Sequence, residues 1–185
     1  DSYVMTVQIK DIFNGDTVYK AMVPFSISSL YNADFGKLLG QTETVGSIWW
    51  TDGANKVSRD RIVPKRGESL VSLSAAKNET ESFQLIITPN RLLNQVRVRS
   101  SSLISNANEI PAANVELAMV NYVLVQQPTD DSGSKGYWPD PILPHERPVQ
   151  LNPGQNYPFW VTIRVPKGIA AGKYRGSVSY THLRA

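Results

Sequence analysis

Few side chains of this chain have the type and spacing to do chemistry. Glu79 and Glu81 lie two apart in Asn78-Glu79-Thr80-Glu81-Ser82. On a strand that spacing puts both carboxylates on one face. A glycosidase pair needs roughly 5–9.5 Å between its acids, so catalysis is geometrically conceivable. A solvated strand face accounts for the same two residues. Asp130, Asp131 and Ser132 look like half of a calcium loop, without the glycine and the bidentate glutamate that complete one. An ordinary Asp/Ser turn explains them as well. His145 stands between Pro144 and Glu146, and the other histidine is His182, so no histidine metal cluster is expected. No metal and no cofactor is predicted, and no residue is assigned a catalytic role.

Aromatic residues are the second group. Gln127 to Pro144 is rich in proline and turn residues and carries Gly136-Tyr137-Trp138-Pro139-Asp140-Pro141-Ile142-Leu143-Pro144. About twenty residues without helix or strand character usually form a functional or docking loop. Tyr137, Trp138 and Asp140 are therefore candidates for an interdomain contact or for the rim of a sugar site. Trp50 and Trp160 join them. Trp49 and Trp50 are adjacent on a predicted strand and must face opposite ways. At most one of them is then expected in a core, the other being exposed or docked. Trp160 opposes the apolar face of its own strand, which suits an interface. Aromatic rings stack on sugar faces, and they serve interdomain packing equally well.

The elements that position these residues read as strands. Val4 to Phe13 and Thr17 to Pro24 flank Asn14-Gly15-Asp16, a hairpin signal. Leu30, Tyr31, Phe35, Leu38 and Leu39 predict a short helix over 28–39, ended by Gly40. From Ile48 onward two-residue alternation dominates. Val71, Leu73 and Ala75 share a face, as do Phe83, Leu85 and Ile87, then Val96 and Val98, then Phe159, Val161, Ile163 and Val165. Val115 to Gln127 is apolar on both faces, as in a central strand. Tyr174, Gly176 and Val178 continue as a last strand. Short strands with Gly/Pro turns predict an all-β fold, an antiparallel, jelly-roll-like β-sandwich. The expected organisation is an N-terminal segment 1–45, belonging to a preceding β domain, and a sandwich over 46–177. Residues 178–185 read as a translated sequencing adaptor rather than as part of the domain.

Composition narrows the class further. With 185 residues the chain is long enough for a core without metal or disulfide, and it contains no cysteine. Thiol catalysis and a Cys-based zinc site are excluded. The net charge of +3 is scattered, the tightest basic group being Arg59, Arg61, Lys65 and Arg66. Nucleic-acid binding wants a basic stripe with interleaved aromatics, so nucleic acid is not an expected partner. No apolar run reaches the ~20 residues of a membrane helix, so membrane insertion is not expected. The chain starts at Asp1, directly in a strand pattern, and is read as a piece of a longer protein.

A series of motifs then carries a family resemblance. They are Trp49-Trp50-Thr51-Asp52 with Lys56-Val57, Ala75-Ala76-Lys77-Asn78-Glu79-Thr80-Glu81-Ser82-Phe83-Gln84-Leu85, and Val120-Asn121-Tyr122-Val123. Trp138-Pro139-Asp140-Pro141, Trp160-Val161-Thr162 and Ala171-Gly172-Lys173-Tyr174-Arg175-Gly176 follow in order. From about Ile48 to Gly176 the chain resembles the N-terminal β-sandwich domain of glycoside hydrolase family 123. The resemblance implies a modular bacterial β-N-acetylgalactosaminidase acting on glycosphingolipid-type glycans. It implies a downstream (β/α)₈ barrel as partner, where an adjacent Asp-Glu pair works with the substrate's acetamido group. This chain has no Asp-Glu dipeptide. It implies a secreted, periplasmic or cell-surface parent, with glycans as a further partner. An independent carbohydrate-binding module and a structural sandwich of a cell-surface protein are the alternatives.

The isolated chain is accordingly expected not to turn over a chromogenic N-acetylgalactosaminide. Turnover by the pure chain, lost in Glu79→Gln or Glu81→Gln, would place catalysis here instead.

Overall fold

The computed structural model describes residues 2–26, 34–106, 108–130, 133 and 135–183. Two compact units divide the chain, Asp1–Asp34 and Phe35–Ala185. The first holds a hairpin of β1 (Ser2–Lys10) and β2 (Thr17–Ser26), paired from Ser2↔Ser26 to Lys10↔Thr17. Its turn is closed by the Asp11 carboxylate, which accepts from the Phe13 and Asn14 amides at 2.7 and 3.2 Å. The register puts Met5, Val7, Ile9, Tyr19, Ala21 and Val23 on one face.

The second unit is an antiparallel β-sandwich. Its main sheet has six strands in the order β10-β9-β12-β5-β4-β3. These are β3 (Lys37–Thr42), β4 (Gly46–Asp52), β5 (Thr80–Pro89), β9 (Val115–Val125), β10 (Gly136–Pro144) and β12 (Tyr157–Arg164). The smaller sheet has the order β11-β6-β13, from β6 (Leu93–Ser100), β11 (Val149–Leu151) and β13 (Val178–Leu183). A short pair, β7 (Leu103–Ser105) and β8 (Asn108–Ile110), stands apart from both.

Alternation decides which side chains meet. Phe83, Leu85, Ile87, Phe159, Val161, Leu117 and Met119 point to one face of the main sheet, because Phe159 pairs with both Leu85 and Met119. That face meets Leu93, Val96, Val98 and Leu151 of the small sheet in the main core cluster. Phe159 and Leu151 have no exposed surface. Burial of each such side chain stabilises the fold by roughly 1.5–3 kcal/mol. The turn into β4 needs Gly46, whose φ is +116°. A Cβ there would lie 2.3 Å from the Thr88 carbonyl oxygen.

Three expectations are corrected. The helix over 28–39 does not form at its described end: Lys37 to Leu39 are strand β3, and Gly40 lies within it; residues 28–33 lie outside the described residues. β3 pairs with β4, and the second compact unit runs from Phe35. Leu70 to Ala75 makes no strand, although Val71 and Leu73 still turn inward to pack beside Phe83 and Val161. Residues 136–144 are no free loop: they form β10, the edge strand beside β9. An edge is where a sheet tolerates proline, since a missing N–H there interrupts no inner ladder. Val178 to Leu183 pair with β6 from Val178↔Ser100 to Leu183↔Asn94. Val178 and Tyr180 pack on the main core, while Arg184 and Ala185 lie outside the described residues.

His145, just past β10, ties the two sheets together. Its Nε2 accepts from the Val98 amide at 3.2 Å, its own amide donates to the Leu117 carbonyl, and its ring meets Phe159 edge-on at 5.1 Å. An accepting Nε2 requires the neutral ring. Burial, and then the charge of Arg97, holds its pKa below the ordinary value of 6.5. An unfolded His titrates near 6.5, so the unfolded chain binds the proton first as pH falls. The stabilisation is complete above about pH 6.5 and is lost as pH drops through the lower, folded pKa. Urea midpoints measured between pH 8 and pH 5 should fall in the acid half of that range. The fall should shrink in His145→Gln, and an equal fall in both proteins would remove His145 as its source.

Candidate functional site

The other face of the main sheet is covered by a loop, residues 53–66, rather than by strands. Trp49, Thr51, Gln84, Ile86, Thr88, Trp160, Ala118, Val120 and Tyr122 point this way by register. Trp49, Val57 and Ile86 are fully buried here, with Phe35, Leu38 and Val63 around them. A loop laid on an apolar face brings its carbonyls with it, and each needs a donor.

Asn156 supplies most of them. It is 1% exposed. Its Nδ2 donates to the Ser58 carbonyl at 3.0 Å and to the Arg61 carbonyl at 2.8 Å. Its backbone N–H donates to the Arg59 carbonyl at 2.8 Å. Its Oδ1 accepts from the Thr88 hydroxyl at 2.6 Å, and that hydroxyl accepts from the Trp49 indole N–H at 2.9 Å. The Tyr122 hydroxyl donates to the Val57 carbonyl at 3.0 Å. Burial raises the Tyr122 pKa, which keeps the phenol a donor. The Arg59 guanidinium then lies over the rings of Tyr122 and Tyr137, at 4.9 and 4.3 Å, joining the loop to the edge of the sheet.

Gln84 does the same for the start of the loop. Its Nε2 donates to the carbonyls of Asp52 and Asn55, at 3.2 and 2.7 Å. Beside it a cleft of about 200 Å³ opens, between the turn 53–56 and β10. Gln84, Val120 and Trp160 line it, Gly53 and Lys56 stand on the turn side, and Pro139, Asp140 and Ile142 on the strand side. The ladder explains Asp140. Pro139 pairs with Tyr122 and Ile142 with Val120, so one extra residue bulges out at Asp140-Pro141. A bulge re-aims the side chain it carries.

The five site residues predicted from sequence therefore separate. Asp140 and Trp160 meet at this cleft. Tyr137 lies on the same face, under Arg59, and is half exposed. Trp138 pairs with Val123 and points to the opposite face. Trp50 also lies on that opposite face, packed edge-on to Phe83 at 6.3 Å. Its indole donates to Glu68 Oε2 at 3.1 Å, and Lys37 bridges Glu68 Oε1 at 2.9 Å. That lysine, more than the indole, lowers the Glu68 pKa. Trp49 and Trp50 do face apart, yet both are packed, because both faces of this sheet are covered.

The carboxylate pair resolves locally. Glu79 accepts from the Ala76 amide and so closes its own turn, where Asn78 has φ +65°. Asp130 likewise accepts from the Gly133 amide, while Asp131 and Ser132 lie outside the described residues. Among the described residues no three of His, Asp and Glu come together to hold a metal. Asn156, Gln84 and Lys56 were not among the site residues expected from the sequence, Gln84 and Lys56 figuring only in the family motifs. Only Gln84 carried a signal there, as an amide inside the apolar run Phe83-Gln84-Leu85-Ile86-Ile87.

Residues 50–182 match the family model of the glycoside hydrolase 123 N-terminal domain. The chain belongs to that family. Among solved structures, this family 123 N-terminal domain is similar to a family 123 glycoside hydrolase from Clostridium perfringens, analysed for glycolipid glycan hydrolysis. The identity is 19%, the TM-score 0.50, and the match covers 60% of this chain and 19% of that one. At that identity the likeness shows the fold, and the family 123 domain spans only a small part of the enzyme's length. A comparison with curated proteins finds no match.

Asn156→Ala would strand the Ser58 and Arg61 carbonyls and the Thr88 hydroxyl under the loop. A buried group left unpaired costs ~1–3 kcal/mol, so urea unfolding should show a loss of about 3 kcal/mol or more. A loss below about 1 kcal/mol would mean that the loop does not depend on this side chain.

Proposed function

We propose that this domain is a non-catalytic accessory β-sandwich that packs on and braces the downstream (β/α)₈ catalytic barrel of a family 123-like glycoside hydrolase. Its parent would act on N-acetylgalactosaminide glycans outside the cytoplasm, as a secreted, periplasmic or cell-surface enzyme. The observation that carries the reading is the apolar edge of the main sheet. Val123, Leu124, Tyr137, Ile142 and Leu143 are each 43–55% exposed on the paired strands β9 and β10. Val123 and Leu143 lie on one face and Leu124, Tyr137 and Ile142 on the other, so the row wraps around the edge. Scattered exposed apolar residues need no explanation, whereas a cluster on one element marks an interface. Prolines 139, 141 and 144 restrict this strand before any partner arrives, so docking would lose less entropy.

Leu143→Asp separates the two states of the domain. In the 185-residue chain it should change unfolding by about 0.5 kcal/mol or less, as at other exposed sites. In the full-length parent it should cost about 2 kcal/mol or more, as at an interface anchor. Equal changes in both proteins would leave this edge solvent-facing in the parent and sink the bracing role.

A further inference from the structure

The cleft beside Trp160 has the parts of a ligand site. Its lining includes one buried polar side chain, Gln84. Gln84 is 2% exposed, and its amide nitrogen is fully engaged by the Asp52 and Asn55 carbonyls. Among the described residues its Oε1 accepts no hydrogen bond. That oxygen is not among the buried atoms left without a partner, so it reaches solvent, and Gln84 lines this cleft. Its flank is the half-buried Trp160 indole, on which the turn packs closely at Gly53. Trp160 pairs across the ladder with Ala118 on one side and Gln84 on the other. On the turn above it, Gly53 has no side chain, and a Cβ there would fall 3.0 Å from the indole Cη2. Its rim carries one acid and one base, Asp140 on the bulge and Lys56 on the turn.

We propose that this cleft binds a single neutral pyranose ring, laid against the Trp160 indole and hydrogen-bonded through its hydroxyls to Asp140, Lys56 and Gln84 Oε1. Size and chemistry both select that class. At about 200 Å³ the cleft is smaller than the roughly 300–1,000 Å³ that drug-sized ligands fill, and it suits one ring. A phosphate or carboxylate would face the Asp140 carboxylate and the Gln84 oxygen. A cation would face Lys56. A purely aliphatic ligand would leave all three polar groups unpaired, at a desolvation penalty. Each sugar hydroxyl donates one hydrogen bond and can also accept, so two or three hydroxyls of one ring serve the two acceptors and the one donor together. An aromatic face is the usual support for the apolar side of such a ring. The cleft shares Ile142 with the bracing edge, but its test reads sugar binding to the chain alone, whereas the bracing test reads Leu143→Asp in the full-length parent, so either reading can fail without the other.

The test is a titration of the ¹⁵N-labelled chain with N-acetylgalactosamine, galactose and glucose, with glycerol as the non-ring control. The reporter is the indole N–H signal of Trp160, assigned by its loss in Trp160→Phe. At least one sugar should move that signal saturably, with a Kd on the order of a few millimolar for so small a ligand. Asp140→Ala, an exposed position on the edge strand, should keep the dispersed spectrum and weaken binding about ten-fold. No saturable shift with any of the sugars up to about 100 mM would overturn the proposal, since such affinity is negligible. So would an equal shift with glycerol, or unchanged affinity in Asp140→Ala.

Discussion

A sheet with two buried faces needs two covers, and only one of them here is another sheet. The second cover is irregular chain, residues 53–66, and irregular chain over an apolar surface must find donors for its carbonyls. The Asn156 carboxamide meets that requirement for Ser58 and Arg61, and its backbone for Arg59. It in turn is oriented by Thr88, and Thr88 by the indole of Trp49. Remove this chain of bonds and the loop loses its reason to lie flat. Val57 would then have no closed pocket, and Trp49 would lose the lid over its ring.

The two faces of the sheet are stabilised by different physics as a result. On the sandwich side the contacts are apolar and non-directional, and Phe159, Leu151 and Val96 could be exchanged for residues of similar volume at modest cost. On the loop side the contacts are directional, and partial satisfaction is worse than none. The cleft lies where this second cover stops. Gln84 pulls the turn at 52–55 down, Asn156 pulls down 58–61, and the edge strand stands away at its bulge.

The all-β class and most of the strands could be read from two-residue alternation, because burial on one face imposes that period on β5, β6 and β12. The strand β10 could not. Its prolines and turn residues read as loop, since the signal for an inner strand is the absence of such residues and an edge obeys a looser rule. The helix over 28–39 failed at its described end for a related reason. Leu38 and Leu39 are adjacent apolar residues because β3 buries both faces, Leu38 beside Trp49 and Leu39 beside Phe83. Adjacent leucines suit a helical stripe as well. Of the site, the aromatic residues and Asp140 drew notice by type, but their grouping depended on register. Asn156, one polar residue in a Pro-Gly turn, carried no local sign of its role.

The ends of the main sheet have a bearing on how this domain can meet other chains. At one end β10 has three prolines among nine residues and a bulge in the middle. At the other, the backbone of Leu38 in β3 is already engaged, donating to Arg66 and accepting from Glu68 at 2.7 and 2.8 Å. Neither border offers an unbroken row of free amides and carbonyls, so neither can template an extra strand from a neighbour. Continuous fibrillar stacking through this sheet is thereby discouraged, even though its border is rich in apolar side chains. A neighbour that comes to this border must be recognised by side-chain shape and chemistry, a selective mode of contact, rather than by the generic backbone pairing that any extended chain could supply.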